Sequence, residues 1–172
     1  MERGVIVTIL SNLWGWLSKI QKLLMILSSI GIVLLLAVIV LLRYVIKEDI
    51  QGIEELLLLP AFYLYFIGAS YASYENSHIS ADMSNDFIKN QRVRYIVNLL
   101  ALLITFVSSV FFFVWSFNQF YWSYTTKGAT SIWGIPLYIV YSSVLVSFVL
   151  IVLYNLVHFV NRIRDWKKEW VK

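Results

Sequence analysis

The sequence predicts an all-α integral membrane protein with four transmembrane helices, arranged as a single membrane domain over residues 1–172. Hydrophobic side chains make up 60% of the chain and charged side chains only 14%, and the mean hydropathy is +0.75. A soluble domain of about this size buries only about 70% of the surface that its unfolded chain exposes, so lipid must cover much of this apolar surface. The composition therefore excludes a cytosolic enzyme, a secreted domain and a nucleic-acid-binding module, despite the net charge of +4.

Four stretches without Asp, Glu, Lys or Arg define the predicted spans, at about 23–42, 56–74, 95–117 and 135–159. About 20 helical residues cross a hydrocarbon core of about 30 Å, so each stretch is long enough. Backbone groups in lipid must find partners within the segment, which favours helices. In the first stretch, 15 of 20 residues are Leu, Ile or Val. Pro60 lies one turn into the second, where we expect a mild kink.

Residues 5–20 form a separate apolar pattern ahead of the first span. Val5, Ile9, Leu13, Leu17 and Ile20 recur at helical spacing. This pattern predicts an N-terminal amphipathic segment lying at the cytoplasmic interface, or else the lower part of a long, tilted first helix. The first span is too long for a signal-peptide core, so we expect no cleaved targeting peptide.

Basic residues flank the four spans unequally. An even number of spans places both termini and the loop between the second and third spans on one side of the membrane. That side carries eleven Lys and Arg residues, and the other side carries three. Because cytoplasmic segments carry the excess of basic residues, we predict that both termini are cytoplasmic and that residues 43–55 and 118–134 lie outside.

The predicted spans contain no charged side chain. A charge at mid-membrane costs about 2.5–3.5 kcal/mol on the insertion scale, and charges retained there usually serve transport. Asn98 and Asn155 are the strongest polar groups in the spans, and we interpret both as hydrogen-bonding to neighbouring helices. The four helices are therefore not expected to carry solute or ions alone, and a supporting role for another membrane subunit follows. With no cysteine in the chain, we predict no metal site and no bound cofactor.

Two histidines leave an alternative function open. His78 follows the second span and His158 lies near the same end of the fourth, so the pair could ligate a b-type haem in a membrane anchor of a respiratory enzyme. In the other interpretation, His78 caps a helix end and His158 faces the interface beside Arg162. A third class is a self-assembling protein of four spans with no transporter partner.

The second span carries candidate contact residues. Glu54 and Glu55 lie at its start, where the helix dipole favours carboxylates and where they could also dock on a basic edge of a partner. Gly68 and Ala72 form a small-xxx-small pair that lets another helix approach closely, either a neighbour in this chain or a partner's helix.

Short motifs follow one another in a characteristic order along residues 20 to 165. They are Arg43-Tyr44-Val45, Glu54-Glu55-Leu56, Gly68-Ala69-Ser70, His78-Ile79 with Asp82, and Gly134-Ile135-Pro136. This order resembles the small membrane subunit, of DctQ type, of tripartite ATP-independent periplasmic (TRAP) transporters. Two places depart from the family pattern. Gln51-Gly52-Ile53 stands where a Trp usually precedes the paired glutamates, and Tyr74-Glu75 where a basic residue usually precedes the His.

The resemblance implies a subunit of a bacterial or archaeal inner-membrane complex. It implies a large, many-helix partner that carries the solute and sodium sites, and a periplasmic substrate-binding protein that delivers an organic anion such as a dicarboxylate or sialic acid. This chain would then be a non-catalytic scaffold, surrounded by lipid, for the stationary part of its partner. Structural and subunit-contact roles are implied for Arg43, Glu54, Glu55, His78, Asp82, Gly134 and Pro136.

Overall fold

The computed structural model describes residues 2–47, 51–75 and 91–170, which form four long helices. They are α1 (Glu2–Leu41), α2 (Ile53–Tyr74), α3 (Gln91–Thr126) and α4 (Leu137–Trp170). Each contains a segment long and apolar enough to cross a membrane. The predicted all-α fold with four transmembrane helices is therefore confirmed.

Helix α1 is continuous over 40 residues, about 60 Å at 1.5 Å per residue. Residues 5–20 are thus the first part of a long helix, which is the second of the two interpretations above. A π-helical turn, Leu42–Ile46, follows α1. Lys47 ends this turn in the left-handed conformation (φ 58°), and its backbone N–H donates to the carbonyl of Leu42.

Helix α3 extends further than the sequence indicated. Residues 118–126 lie beyond the predicted third span of 95–117, yet they are helical, because the segment contains no proline or glycine to end the helix. The hydroxyl groups of Thr125 and Thr126 donate back to the carbonyl of Trp122 at 3.0 and 2.8 Å. These bonds satisfy polar side chains inside the last helical turn, so the helix continues to Thr126.

The four helices form an open layer rather than a closed bundle. Helix α2 packs against both α1 and α4, and α4 packs against α3. No comparable packing joins α1 to α3 within the described residues, so these two are edge helices. Ile67 of α2, together with Val140 and Tyr154 of α4, is almost fully buried. The small core of the protein therefore lies along the two central helices.

Both edge helices pack along heptad-spaced positions. In α1, the side chains at positions 14, 18, 21, 25, 28, 32, 35 and 39 are all buried or half-buried. In α3, the same holds for positions 99, 102, 106, 109, 113, 116, 120 and 123. Alternating steps of three and four residues are typical of left-handed helix packing. In α3 this series includes the buried Ser109, Ser116 and Ser123, whose small side chains allow α4 to approach closely.

Candidate functional site

A short hairpin connects α3 to α4 at one end of the layer, called here the hairpin end. Ala129 and Pro136 form an isolated antiparallel bridge, and the N–H of Leu137 donates to Gly128 O at 2.9 Å. Thr130 closes the hairpin, since its N–H donates to Ile135 O and its hydroxyl accepts from the N–H of Ile135, both at 3.0 Å. Pro136 has no N–H of its own and fits this position without losing a bond.

Glu55 ties the start of α2 to this hairpin. Its carboxylate accepts hydrogen bonds from the backbone N–H of Ile132 at 3.1 Å and of Trp133 at 3.0 Å. The two partners lie 77 and 78 residues away along the chain. Hydrogen bonds to an ionised carboxylate are stronger than those between neutral groups, so this contact holds the hairpin against α2.

Gly52 completes the same contact, and we call the set Gly52, Glu55, Ile132 and Trp133 the hairpin junction. Gly52 precedes α2 with φ at +80°, and its carbonyl accepts the N–H of Glu55 at 2.8 Å. A Cβ atom at position 52 would lie 2.7–2.8 Å from side-chain atoms of Ile132. Only glycine combines this conformation with so close an approach, so the turn and the hairpin are fitted to each other.

Replacing Glu55 by alanine is expected to release the hairpin. The amide protons of Ile132 and Trp133 should then exchange with solvent several-fold faster, because their carboxylate acceptor is gone. Hydrogen exchange on the purified protein in detergent measures this. Glu54→Ala is the matched control, since Glu54 is exposed in the same helical turn. Equal exchange rates in the two variants would contradict the assigned role of Glu55.

A buried polar cluster joins three helices at the opposite end of the layer. The side-chain amide of Gln21 in α1 donates to Ser70 Oγ of α2 at 2.8 Å, and the hydroxyl of Tyr154 in α4 donates to Gln21 Oε1 at 3.1 Å. Gln21, Ser70 and Tyr154 are each at most 2% exposed. Trp14 packs edge-on against the Tyr154 ring with the centroids 4.9 Å apart. We call these four residues the polar junction.

A second group of polar contacts lies beside the polar junction and joins α2 to α4. Ser73 Oγ donates to Asn155 Oδ1 at 3.2 Å, which confirms the predicted interhelical role of Asn155. His158 Nε2 lies 3.2 Å from the carbonyl of Ser73. A carbonyl can only accept, so Nε2 carries the proton and donates to this carbonyl in the last turn of α2. Asn155 Nδ2 is buried without a partner among the described residues.

The other residues singled out in the sequence do not form one site. Arg43 lies in the exposed π-helical turn, and Gly134 lies in the hairpin with φ at +63°. Gly68 faces α1, because a Cβ atom there would lie 3.6 Å from Met25 Sδ. The close approach at Gly68 is therefore made by a neighbouring helix of this chain. His78 and Asp82 lie outside the described residues.

Sequence reasoning missed several residues of both junctions. Gly52 was noted only as part of a departure from the family pattern, although a glycine directly before Ile-Glu-Glu is a signal for a helix start. Gln21 stands between Lys19 and Lys22 and gives no sign of burial in the sequence, and Ser70 was noted only as part of the Gly68-Ala69-Ser70 motif. Nothing in the sequence indicates that Tyr154 is the group that joins them.

The groups at these two junctions form hydrogen bonds and packing contacts that hold the helices and the hairpin together. No group of three or more His, Cys, Asp or Glu residues is placed to hold a metal ion within the described part of the chain. Lys19 and Lys22 are exposed within α1, where Lys22 lies over the Tyr71 ring of α2, and Arg43, Glu75 and Lys127 are exposed near helix ends. The segments 23–42, 56–74, 99–126 and 137–160 carry no charge, so there the helices meet through apolar and neutral polar side chains.

The open layer of long apolar helices defines a multi-pass membrane protein. Residues 32–165 match the model of one protein family, described as "Tripartite ATP-independent periplasmic transporters, DctQ component". This match spans most of the chain, and the chain therefore belongs to the DctQ family, the small membrane subunits of TRAP transporters. A search of curated proteins finds no matching relative.

The family match gives no support to the haem-anchor alternative. The structure adds a local reason against a haem ligand at His158, because its ring nitrogen Nε2 is hydrogen-bonded to the Ser73 carbonyl.

Proposed function

We propose that this chain is the small, non-catalytic scaffold subunit of an ion-gradient-driven TRAP-type transporter that imports organic acids. It works with a large transport subunit and with a periplasmic substrate-binding protein. Sodium is the coupling ion in this proposal, and the solute and sodium sites belong to the large subunit. The chain itself binds no solute.

The observation that carries the proposal is the absence of charged side chains from the apolar spans of the four helices, residues 23–42, 56–74, 95–117 and 135–159. Routes for ions and anionic solutes through a membrane usually require such groups. The open layer agrees with this role, because it buries few side chains by itself and leaves long apolar faces on both edge helices. A much larger membrane protein covering one of these faces would complete the fold.

The orientation is part of the proposal. With both termini cytoplasmic, the hairpin end lies outside, on the side from which a periplasmic binding protein delivers its solute. The excess of basic residues at the other end supports this orientation. Epitope tags at each terminus should be digested only after the cytoplasmic side is opened to protease, and a tag accessible from the periplasm would contradict it.

Co-purification and reconstitution test the function. Extracted in mild detergent from its native membranes, the chain should retain a many-helix transport subunit. In liposomes loaded under a sodium gradient, the two-subunit complex with its binding protein should take up an organic acid. The chain alone should show no uptake above empty vesicles.

Two results would overturn the proposal. One is sodium-driven uptake by the isolated chain. The other is recovery of the chain as a pure homo-oligomer from membranes that also contain the large subunit.

A further inference from the structure

Tyr65 stands out on the central helix α2. It is 73% exposed, while most of the α2 side chains are half-buried or buried. It lies twelve residues after Ile53 and nine before Tyr74, about 18 Å and about 14 Å from the two ends of the helix. Its side chain therefore protrudes near the middle of the membrane.

A phenol at this depth is in an unfavourable place unless its hydroxyl is bonded. Tyrosine is common at membrane interfaces, where its hydroxyl meets water and headgroups. Lipid chains offer no hydrogen-bond acceptor, and either end of α2 lies too far for the side chain of Tyr65 to reach. The Tyr65 hydroxyl has no hydrogen bond to any described residue. The acceptor that Tyr65 needs is therefore not supplied by the described part of this chain.

The residues on the same side of α2 form a continuous stripe with Tyr65. Leu58, Ala61, Ala69 and Ala72 lie within about 40° of Tyr65 around the helix axis, as does the exposed Glu54 at the hairpin end. The alanines on both sides of the tyrosine leave room for another helix to approach closely. We call these six residues the Tyr65 stripe.

The neighbours of α2 within this chain pack on its other sides. Helix α1 meets α2 at Pro60 and Gly68, opposite Gly31 and Met25. Helix α4 meets α2 where Ser73 bonds Asn155. The Tyr65 stripe lies between these two contact regions, so no helix of this chain packs along it within the described residues.

We propose that the Tyr65 stripe receives a transmembrane helix of the large transport subunit. That helix places a hydrogen-bond acceptor opposite Tyr65 and a basic residue opposite Glu54. The inference rests on the proposed function and adds to it the face of the scaffold on which the partner packs. Tyr65 is an interface residue in this assignment and takes no part in transport chemistry.

Charge and polarity favour a helix of the large subunit, rather than lipid or a second copy of this chain, as the neighbour that covers the Tyr65 stripe. Lipid tails supply no acceptor for Tyr65. A second copy of this chain inserts with the same orientation, so packing through the same stripe would bring two Glu54 carboxylates together, and like charges across an interface are unfavourable.

Two matched tyrosine variants test the inference in the complete transporter. Tyr65→Phe removes only the hydroxyl that the partner is expected to bond. Tyr63→Phe removes a hydroxyl that lies 3.2 Å from Ser142 Oγ within this chain. Tyr65→Phe should lower the amount of large subunit retained through detergent extraction by roughly threefold to tenfold, and leave the thermal stability of the isolated chain unchanged. Tyr63→Phe should lower the thermal stability of the isolated chain and leave the retained amount of large subunit unchanged.

A photo-crosslinking residue, p-benzoylphenylalanine, placed at position 65 in native membranes provides the second measurement. The expected product joins this chain to the large subunit. If the wild-type complex is recovered but position 65 labels only lipid or a second copy, the inference is overturned while the proposed function stands. Undiminished retention of the large subunit by Tyr65→Phe also overturns it. If the wild-type chain retains no large subunit, the proposed function fails as well.

Discussion

Replacing Gly52 by alanine should destabilise the protein by about 2–5 kcal/mol. The left-handed conformation costs a non-glycine residue about 1–2 kcal/mol. The added Cβ would also lie 2.7 Å from Ile132 Cβ, and overpacking of this kind costs about 1–3 kcal/mol. Equilibrium unfolding of the purified protein in mixed micelles would measure the loss.

Gly134→Ala is the matched control for the Gly52 variant. Gly134 also has a positive φ, at +63°, but a Cβ there meets nothing within 4 Å. The Gly134→Ala protein should lose only the conformational contribution to its free energy of unfolding, about 1–2 kcal/mol. Adding Ile132→Gly to Gly52→Ala should recover part of the stability, because it removes the Ile132 Cβ, Cγ2 and Cδ1 atoms that the new methyl group would meet. If both glycine variants lose the same stability and Ile132→Gly recovers none, the close approach of Gly52 to the hairpin contributes nothing measurable to the free energy of unfolding.

Replacing Tyr154 by alanine is expected to produce the second large effect, a loss of about 3–5 kcal/mol. Tyr154 is fully buried and contacts Trp14, Tyr74 and Gln21. Truncating a large buried aromatic residue leaves a cavity and removes its contacts. The variant also leaves Gln21 Oε1 without its hydrogen bond. The same unfolding measurement applies, with the tryptophan fluorescence of the protein as a local readout.

Two controls separate packing from hydrogen bonding at Tyr154. Tyr154→Phe keeps the ring and should cost only about 0.6–2 kcal/mol, the range of interhelical hydrogen bonds in membranes. Tyr44→Ala truncates a tyrosine that is 73% exposed and should change stability little. A Tyr154→Ala protein as stable as Tyr44→Ala would show that the polar junction does not hold the layer together.

The hairpin junction and the polar junction lie at opposite ends of the central pair, α2 and α4. The first joins the start of α2 to the hairpin that leads into α4. The second joins α2 and α4 to α1 near the other end. Contacts at both ends resist sliding and splaying of the two helices, and this rigidity suits the stationary scaffold proposed for the chain.

The number and type of the helices were predictable from the sequence, but their lengths were not. Runs without charge mark where lipid surrounds a helix, because insertion of a charge is costly. They do not mark where the helix ends, since α3 continues to Thr126 through polar residues that bond their own backbone. At the other end of the chain, α1 already begins at Glu2, ahead of the first apolar run.

The candidate site was only partly predictable. Glu55, Gly134 and Pro136 were singled out, and the structure places all three at the start of α2 or in the hairpin that Glu55 binds. The partners of Glu55 are backbone amides of Ile132 and Trp133, and a backbone N–H carries no sequence signal. Gln21 and Tyr154 are separated by 133 residues, and their contact depends on how three helices pack.

By itself, the sequence determined that this protein has four spanning helices, that their lipid-buried parts are uncharged, and that the chain belongs with the small TRAP subunits. The first two properties follow from the free energy of transferring side chains into lipid, which depends on composition along each segment, whereas the resemblance to the TRAP subunits comes from the order of short motifs along the chain. Only the tertiary structure decided that the helices form an open layer, that the central pair is joined at both ends, and that Tyr65 protrudes at mid-depth. Those properties depend on which faces of the helices meet, and short-range hydrogen bonds and close packing between distant residues settle that.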